Sequence, residues 1–151
     1  MSENYWPVIE DIWDDVDIYE GPVVFLKDFN KLTGKQKTLL ATHWAESEIM
    51  NGGLGQFFDN STGVLAPEAV AGFNALGMPE TAKILQKAMA FFGHDYPRER
   101  AKRIQVFEAF YVEHGEEAIP MESEEDAMAV AIETENKGFD DAACEYAIKG
   151  E

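Results

Sequence analysis

The chain has 151 residues, with 29 acids against 12 lysines and arginines for a net charge of −17, and it is 46% hydrophobic and 12% aromatic. A chain of this length fits one domain, and aromatics spread from Tyr5 to Tyr146 separate it from disordered chains, whose few apolar side chains cannot offset chain entropy. The acidic balance opposes direct contact with nucleic acid or anionic lipid. No run reaches the roughly 18 apolar residues of a membrane span, and the Met-Ser-Glu-Asn start has no basic and apolar leader pattern, so a cytoplasmic protein is expected.

Tyr5, Val8, Ile9, Ile12, Trp13, Val16 and Tyr19 recur at steps of three and four and predict one amphipathic helix, with Pro7 in its first turn and Gly21-Pro22 ending it. Val23 to Leu26 reads as an apolar connector. A second helix is expected from about Lys35 to Met50, with Leu39, Leu40, Trp44 and Ser47 inward, His43 on the apolar face and the glycine pair as its stop. Leu65 to Leu76 and Pro79 to Phe92 read as helices stopped by Gly77 and Gly93, and short loops favour antiparallel packing. Arg98 to His114 has helical spacing and closes at Gly115. Ser123 ahead of Glu124, Glu125 and Asp126 predicts a capped helix running to Lys137, and Gly138 separates a last helix, Phe139 to Lys149. No strand-like alternation, internal repeat or linker appears, so residues 1–151 are expected to form a single compact all-α domain of about seven helices. The one cysteine, Cys144, excludes an internal disulfide and a cysteine-cluster metal site and reads as a small apolar residue.

Between the second and third of these helices lies Glu-Ile-Met-Asn-Gly-Gly-Leu-Gly-Gln-Phe-Phe-Asp-Asn, residues 48–60. Its glycines permit positive φ and close backbone approach, so the segment is expected to end one helix and turn into a short Gln56 to Phe58 stretch anchored by Phe57 and Phe58. The amides of Asn51, Gln56 and Asn60 would then satisfy free carbonyls at one helix end and free N–H groups at the next. No preceding strand or phosphate-loop lysine accompanies the glycines.

Glu48, Asn51, Gly52, Gly53, Gln56, Phe57, Phe58, Asn60, Ser61 and Gly63, followed by Ala75-Leu76-Gly77, resemble the motif of the bacterial DNA-mimic protein family, otherwise catalogued as a domain of unknown function. The resemblance covers residues 35–95 well and the remainder by helix pattern and acidity. It implies an all-helical fold, room for self-association as a homodimer and, as for a characterised member, an acidic surface that occupies the DNA-binding face of a transcriptional regulator. The motif itself reads as a mark of the fold, and mimicry would fall to the acidic ends.

Charge is distributed accordingly: −7 over residues 1–20, +2 over residues 21–103 and −12 over residues 104–151. Acids three or four apart on a helix project about 5 to 6 Å from one another, comparable to the phosphate spacing of one DNA strand. Asp11 with Asp14 and Asp15 has that spacing, as does Glu122 with Glu125 and Asp126. Glu113 with Glu116 and Glu117 would extend the strip if the turn at Gly115 aligned them. The partner-binding candidates are therefore Glu10, Asp11, Asp14, Asp15, Asp17, Glu116, Glu117, Glu122, Glu124, Glu125 and Asp126, facing a basic, DNA-binding protein. Arg98, Arg100, Lys102 and Arg103 form the one basic cluster and are expected to pair with the acidic ends or touch a second subunit.

Other readings are a helical domain whose charge serves solubility alone, an immunity or antitoxin-like inhibitor of a basic toxin, and an enzyme with a site near Glu48, Asn51 and Gln56. For catalysis the titratable candidates are sparse: His43 three residues from Glu46, and His94 and His114 beside single acids. No catalytic residue, metal or cofactor is assigned.

Overall fold

The computed structural model of the chain describes residues 4–149, and it is all-α. Its eight helices among the described residues are α1 (Trp6–Glu10), α2 (Pro22–Phe29), α3 (Gly34–Asp59), α4 (Ala66–Ala75), α5 (Pro79–Met89), α6 (Arg100–His114), α7 (Glu122–Thr134) and α8 (Phe139–Lys149). None of them is long and apolar enough to cross a membrane.

α3 is the axis of the fold, in contact with α1, α4, α6, α7 and α8. It opens on a capping box: the Thr33 hydroxyl accepts the Gln36 N–H at 3.2 Å and the Gln36 side chain accepts the Thr33 N–H at 3.0 Å. Leu39, Leu40, Ile49, Leu54, Phe57 and Phe58 from this helix are buried in a single apolar cluster with Phe25, Phe29, Phe73, Leu85 and Phe139. α4 lies close against it because Gly72 has no side chain, and a Cβ there would stand 2.6 Å from the methyl of Thr42. α4 ends in a Schellman turn, with the Met78 N–H on the Phe73 carbonyl, the Gly77 N–H on the Asn74 carbonyl, and Gly77 at φ 75°. The chain then reverses into α5.

Several expectations are corrected. The apolar stripe from Tyr5 to Tyr19 is not one helix: α1 stops at Glu10, a 3-10 turn covers Trp13–Asp15 and Val16 is extended. A 3-10 turn keeps an i, i+3 repeat, so the stripe survives while the helix does not. The Val23 to Leu26 connector lies within α2, begun by Pro22, and it brings the α-helix count to eight. Ser47 is exposed. α7 starts at Glu122, behind Met121 in the left-handed region at φ 48°, so Ser123 lies inside the helix and caps nothing; α7 ends at Thr134, and a 3-10 turn covers Glu135–Lys137.

The largest revision concerns residues 48–60. The helix continues through Asn51 and Gly52, breaks at Gly53 (φ 86°, ψ 177°) and resumes for Leu54–Asp59. One glycine in the left-handed half of the map is enough to bend the axis without ending it.

Candidate functional site

The break in α3 exposes the N–H groups that begin its second piece, and they face a carboxylate from far along the chain. Glu125 on α7 accepts the Leu54 N–H at 2.6 Å and the Gly55 N–H at 2.9 Å. A carboxylate at the positive end of a helix segment is favoured both by these bonds and by the aligned peptide dipoles. Gly53 is required twice over: its φ is positive, and a Cβ would lie 2.6 Å from the same Glu125 oxygen.

The polar side chains of the motif bond mainly to one another. Glu48 accepts from the Asn60 amide at 2.6 Å and from the Gln56 amide at 3.4 Å, and Asn51 donates to the Gln56 oxygen at 3.3 Å. A Cβ at Gly52 would collide with the Gln56 side chain. The amides therefore brace the bend, whereas the helix ends were expected to be capped by them. Phe57 and Phe58 are fully buried, and Ser61 and Gly63 lie in the 3-10 turn Ser61–Leu65 that follows α3.

The carbonyl end of α3 is closed by arginines. Arg103, fully buried, donates to the carbonyls of Phe58 (2.8 Å), Asn60 (2.9 Å), Pro97 (3.0 Å) and Arg98 (2.7 Å). It has no carboxylate partner among the described residues. Desolvation works against its charge, and the partial negative charge of the helix terminus balances it. Arg100 reaches the Asp59 carbonyl at 2.6 Å, and Arg98 holds the Val64 carbonyl and, with two bonds, the Glu68 carboxylate. Tyr96 donates to the Gly63 carbonyl at 2.6 Å, and burial pushes its phenol well above the ordinary range. A Cβ at Gly63 would sit 2.7 Å from Nε of Arg103. The basic cluster thus serves backbone carbonyls and one mid-chain acid, rather than the acidic ends.

Two further acids and amides turn inward at the other side of α7. Glu135 accepts the N–H groups of Glu80 (2.8 Å) and Thr81 (2.7 Å) and the Thr81 hydroxyl (2.7 Å), capping α5, while Asn136 donates to the Leu76 carbonyl at 2.7 Å at the end of α4.

The other candidate acids face solvent. Glu10, Asp11, Asp14, Asp15 and Asp17 are exposed, as are Glu116, Glu117, Glu122 and Asp126; Glu124 is half-buried, like Glu125. None of them forms an ion pair among the described residues. Asp11 follows α1 while Asp14 and Asp15 lie in the 3-10 turn, so they do not share one α-helical face, and Glu125 is withdrawn from the strip with Glu122 and Asp126.

His43 accepts or donates at 2.8 Å to the Tyr5 hydroxyl within a ring of Trp6, Trp13 and Trp44, and burial pulls its pKa below the ordinary value. One turn on, burial raises the Glu46 carboxyl, helped by the charge of Asp140. Among the described residues no three His, Cys, Asp or Glu side chains gather in a way that could hold a metal ion.

The inward carboxylates left a trace in the sequence that charge counting passes over. Neither Leu54 nor Pro79 is preceded by a Ser, Thr, Asp or Asn able to cap its helix, so the cap has to come from elsewhere in the chain.

No curated protein and no solved structure matches the chain significantly. Residues 30–149, from the end of α2 through α8, match the DMP19-like protein family, and the chain belongs to that family.

Proposed function

We propose that this protein is an acidic protein-binding domain that occupies the DNA-binding surface of a basic partner such as a transcriptional regulator. The observation that carries the reading is the set of exposed acids without cationic partners, Glu10 to Asp17 at one end of the chain and Glu116 to Asp126 at the other, less Glu125 and with Glu124 half-covered. Exposed like charges repel one another and weaken the fold, a cost that interspersed lysines ordinarily reduce. Here the bases are spent elsewhere: the arginines that could neutralise these ends are bound to the carbonyls after Phe57 and to Glu68. Membership of the DMP19-like family supports the same reading, since the motif at residues 48–63 resembles DNA-mimic proteins.

The test is capture of partners from a native lysate on the immobilised protein, at low salt and again at about 0.5 M, where the Debye length is only a few ångströms. The expected result is a DNA-binding protein that salt releases and its own operator DNA displaces. A captured set indifferent to salt and to DNA would refute mimicry and leave the charge to solubility.

A further inference from the structure

A cleft of about 420 Å³ opens between the segment Trp13–Tyr19, α2 and α3. Its walls are aromatic: Trp13, Tyr19, Phe25 and Trp44 line it, and the two indoles are stacked with centroids 5.1 Å apart and planes at 25°. Its charged lining is wholly acidic. Asp14 and Asp17 are both exposed, no lysine, arginine or histidine shares the lining, and neither carboxylate has a cationic partner among the described residues. Asp17 accepts the Tyr19 N–H at 2.9 Å, which ties the acid to the aromatic rim. Trp13 and Trp44 are only half-buried, and Tyr19 is 76% exposed, so the fold leaves this aromatic surface unfinished.

Aromatic surface beside unpartnered carboxylates selects for one kind of ligand. An anion is repelled, and a neutral apolar group would strip water from Asp14 and Asp17 without replacing it. A cation is drawn by both the ring quadrupoles and the carboxylates. Guanidinium suits the site better than ammonium, because it is weakly hydrated, stacks flat on aromatic rings and donates in pairs to carboxylate oxygens.

We propose that this cleft receives an arginine side chain from the DNA-binding surface of the basic partner, with Trp13, Tyr19 and Trp44 as the wall and Asp14 and Asp17 as counter-charges. The proposal rests on the reading above that the partner is basic, and it adds a fixed point to it. A sheet of negative charge attracts any cationic surface, whereas a cleft that accepts one guanidinium sets the register in which the partner docks.

All three tryptophans of the chain lie in this cluster, Trp6 packing on Trp13 at 5.2 Å, so intrinsic fluorescence reports on the cleft. The full chain is titrated at low salt with acetyl-Gly-Arg-Gly-amide, with the lysine peptide, and with the citrulline peptide, which keeps the shape and loses the charge. The arginine peptide is expected to give a saturable change, with binding about tenfold weaker for citrulline and measurably weaker for lysine. The Asp14→Asn/Asp17→Asn double variant, altered at exposed positions alone, should lose about tenfold in arginine-peptide affinity at an unchanged thermal melt. Equal response to all three peptides, or an undiminished titration in the double variant, would overturn the proposal. Partner capture separates the two readings. If the double variant still captures a DNA-displaceable partner as well as wild type, the cleft fails and mimicry stands; arginine-peptide binding without any DNA-displaceable partner keeps the cleft and removes mimicry.

Discussion

Glu125 is an acid by composition and a helix cap by position, and its replacement distinguishes the two. Glu125→Ala leaves two helix N–H groups without their acceptor and should cost about 1–2 kcal/mol in chemical denaturation. Gly53→Ala forces a side chain to φ 86° and into the same carboxylate, a cost of about 1–3 kcal/mol. Because both act on one contact, the double variant should fall short of the sum, and strict additivity would show that the cap and the bend are independent. Arg103→Met removes the donor to four buried carbonyls and is expected to destabilise by more than about 3 kcal/mol, a loss that an urea titration would register as a lowered midpoint. His43 gives the pH dependence. Burial lowers its folded pKa below 6.5, so the unfolded chain takes up the proton first; its contribution is complete above that value and is lost as pH falls through it. His43→Gln should therefore flatten the decline in stability between about pH 7 and 5 relative to wild type. Glu46 has the opposite sign, its raised folded pKa giving a contribution that is full below 4.5 and lost as pH rises, so only the difference between variant and wild type isolates His43.

At the scale of elements, α5 depends on an acid beyond the end of α7. Glu135→Ala should lower the melting temperature by several degrees and should raise amide exchange at Glu80 and Thr81 first, since those N–H groups lose their acceptor. Uniform exchange across α5 would mean the cap is incidental. Most of this architecture is legible in the sequence: α4 and α5 with their glycine stops, α6 closing at Gly115, and α8 after Gly138 all follow from apolar spacing and terminal residues. Two kinds of feature are not. Short elements such as α2 and the 3-10 turn at Trp13 share the spacing of longer helices, and their limits are set by packing on α3. Long-range caps are invisible to local pattern, because nothing adjacent to Glu125 or Glu135 in sequence marks either as facing inward. For the candidate site the consequence is specific: the acids of the N-terminal end were read in the right places and on the wrong scaffold, since Asp11, Asp14 and Asp15 do not sit on one α-helix.

For the whole molecule, a net charge of −17 with most acids exposed makes self-repulsion a term in stability. Raising sodium chloride from about 0.05 to 0.5 M screens that repulsion and should raise the melting temperature. A fall would mean that attractive pairs such as Arg98 with Glu68 outweigh it. The same screening should weaken partner binding, so stability and affinity are expected to move in opposite directions with salt. The contact between Glu125 and Leu54 spans 71 positions, and this separation has a consequence for the order of events during synthesis. A chain leaving the ribosome at about 5–20 residues per second presents Leu54–Asp59 several seconds before its cap exists. That stretch, which carries Phe57 and Phe58, has to wait for α7, leaving two large aromatic side chains open to chaperones or to neighbouring nascent chains in the interval.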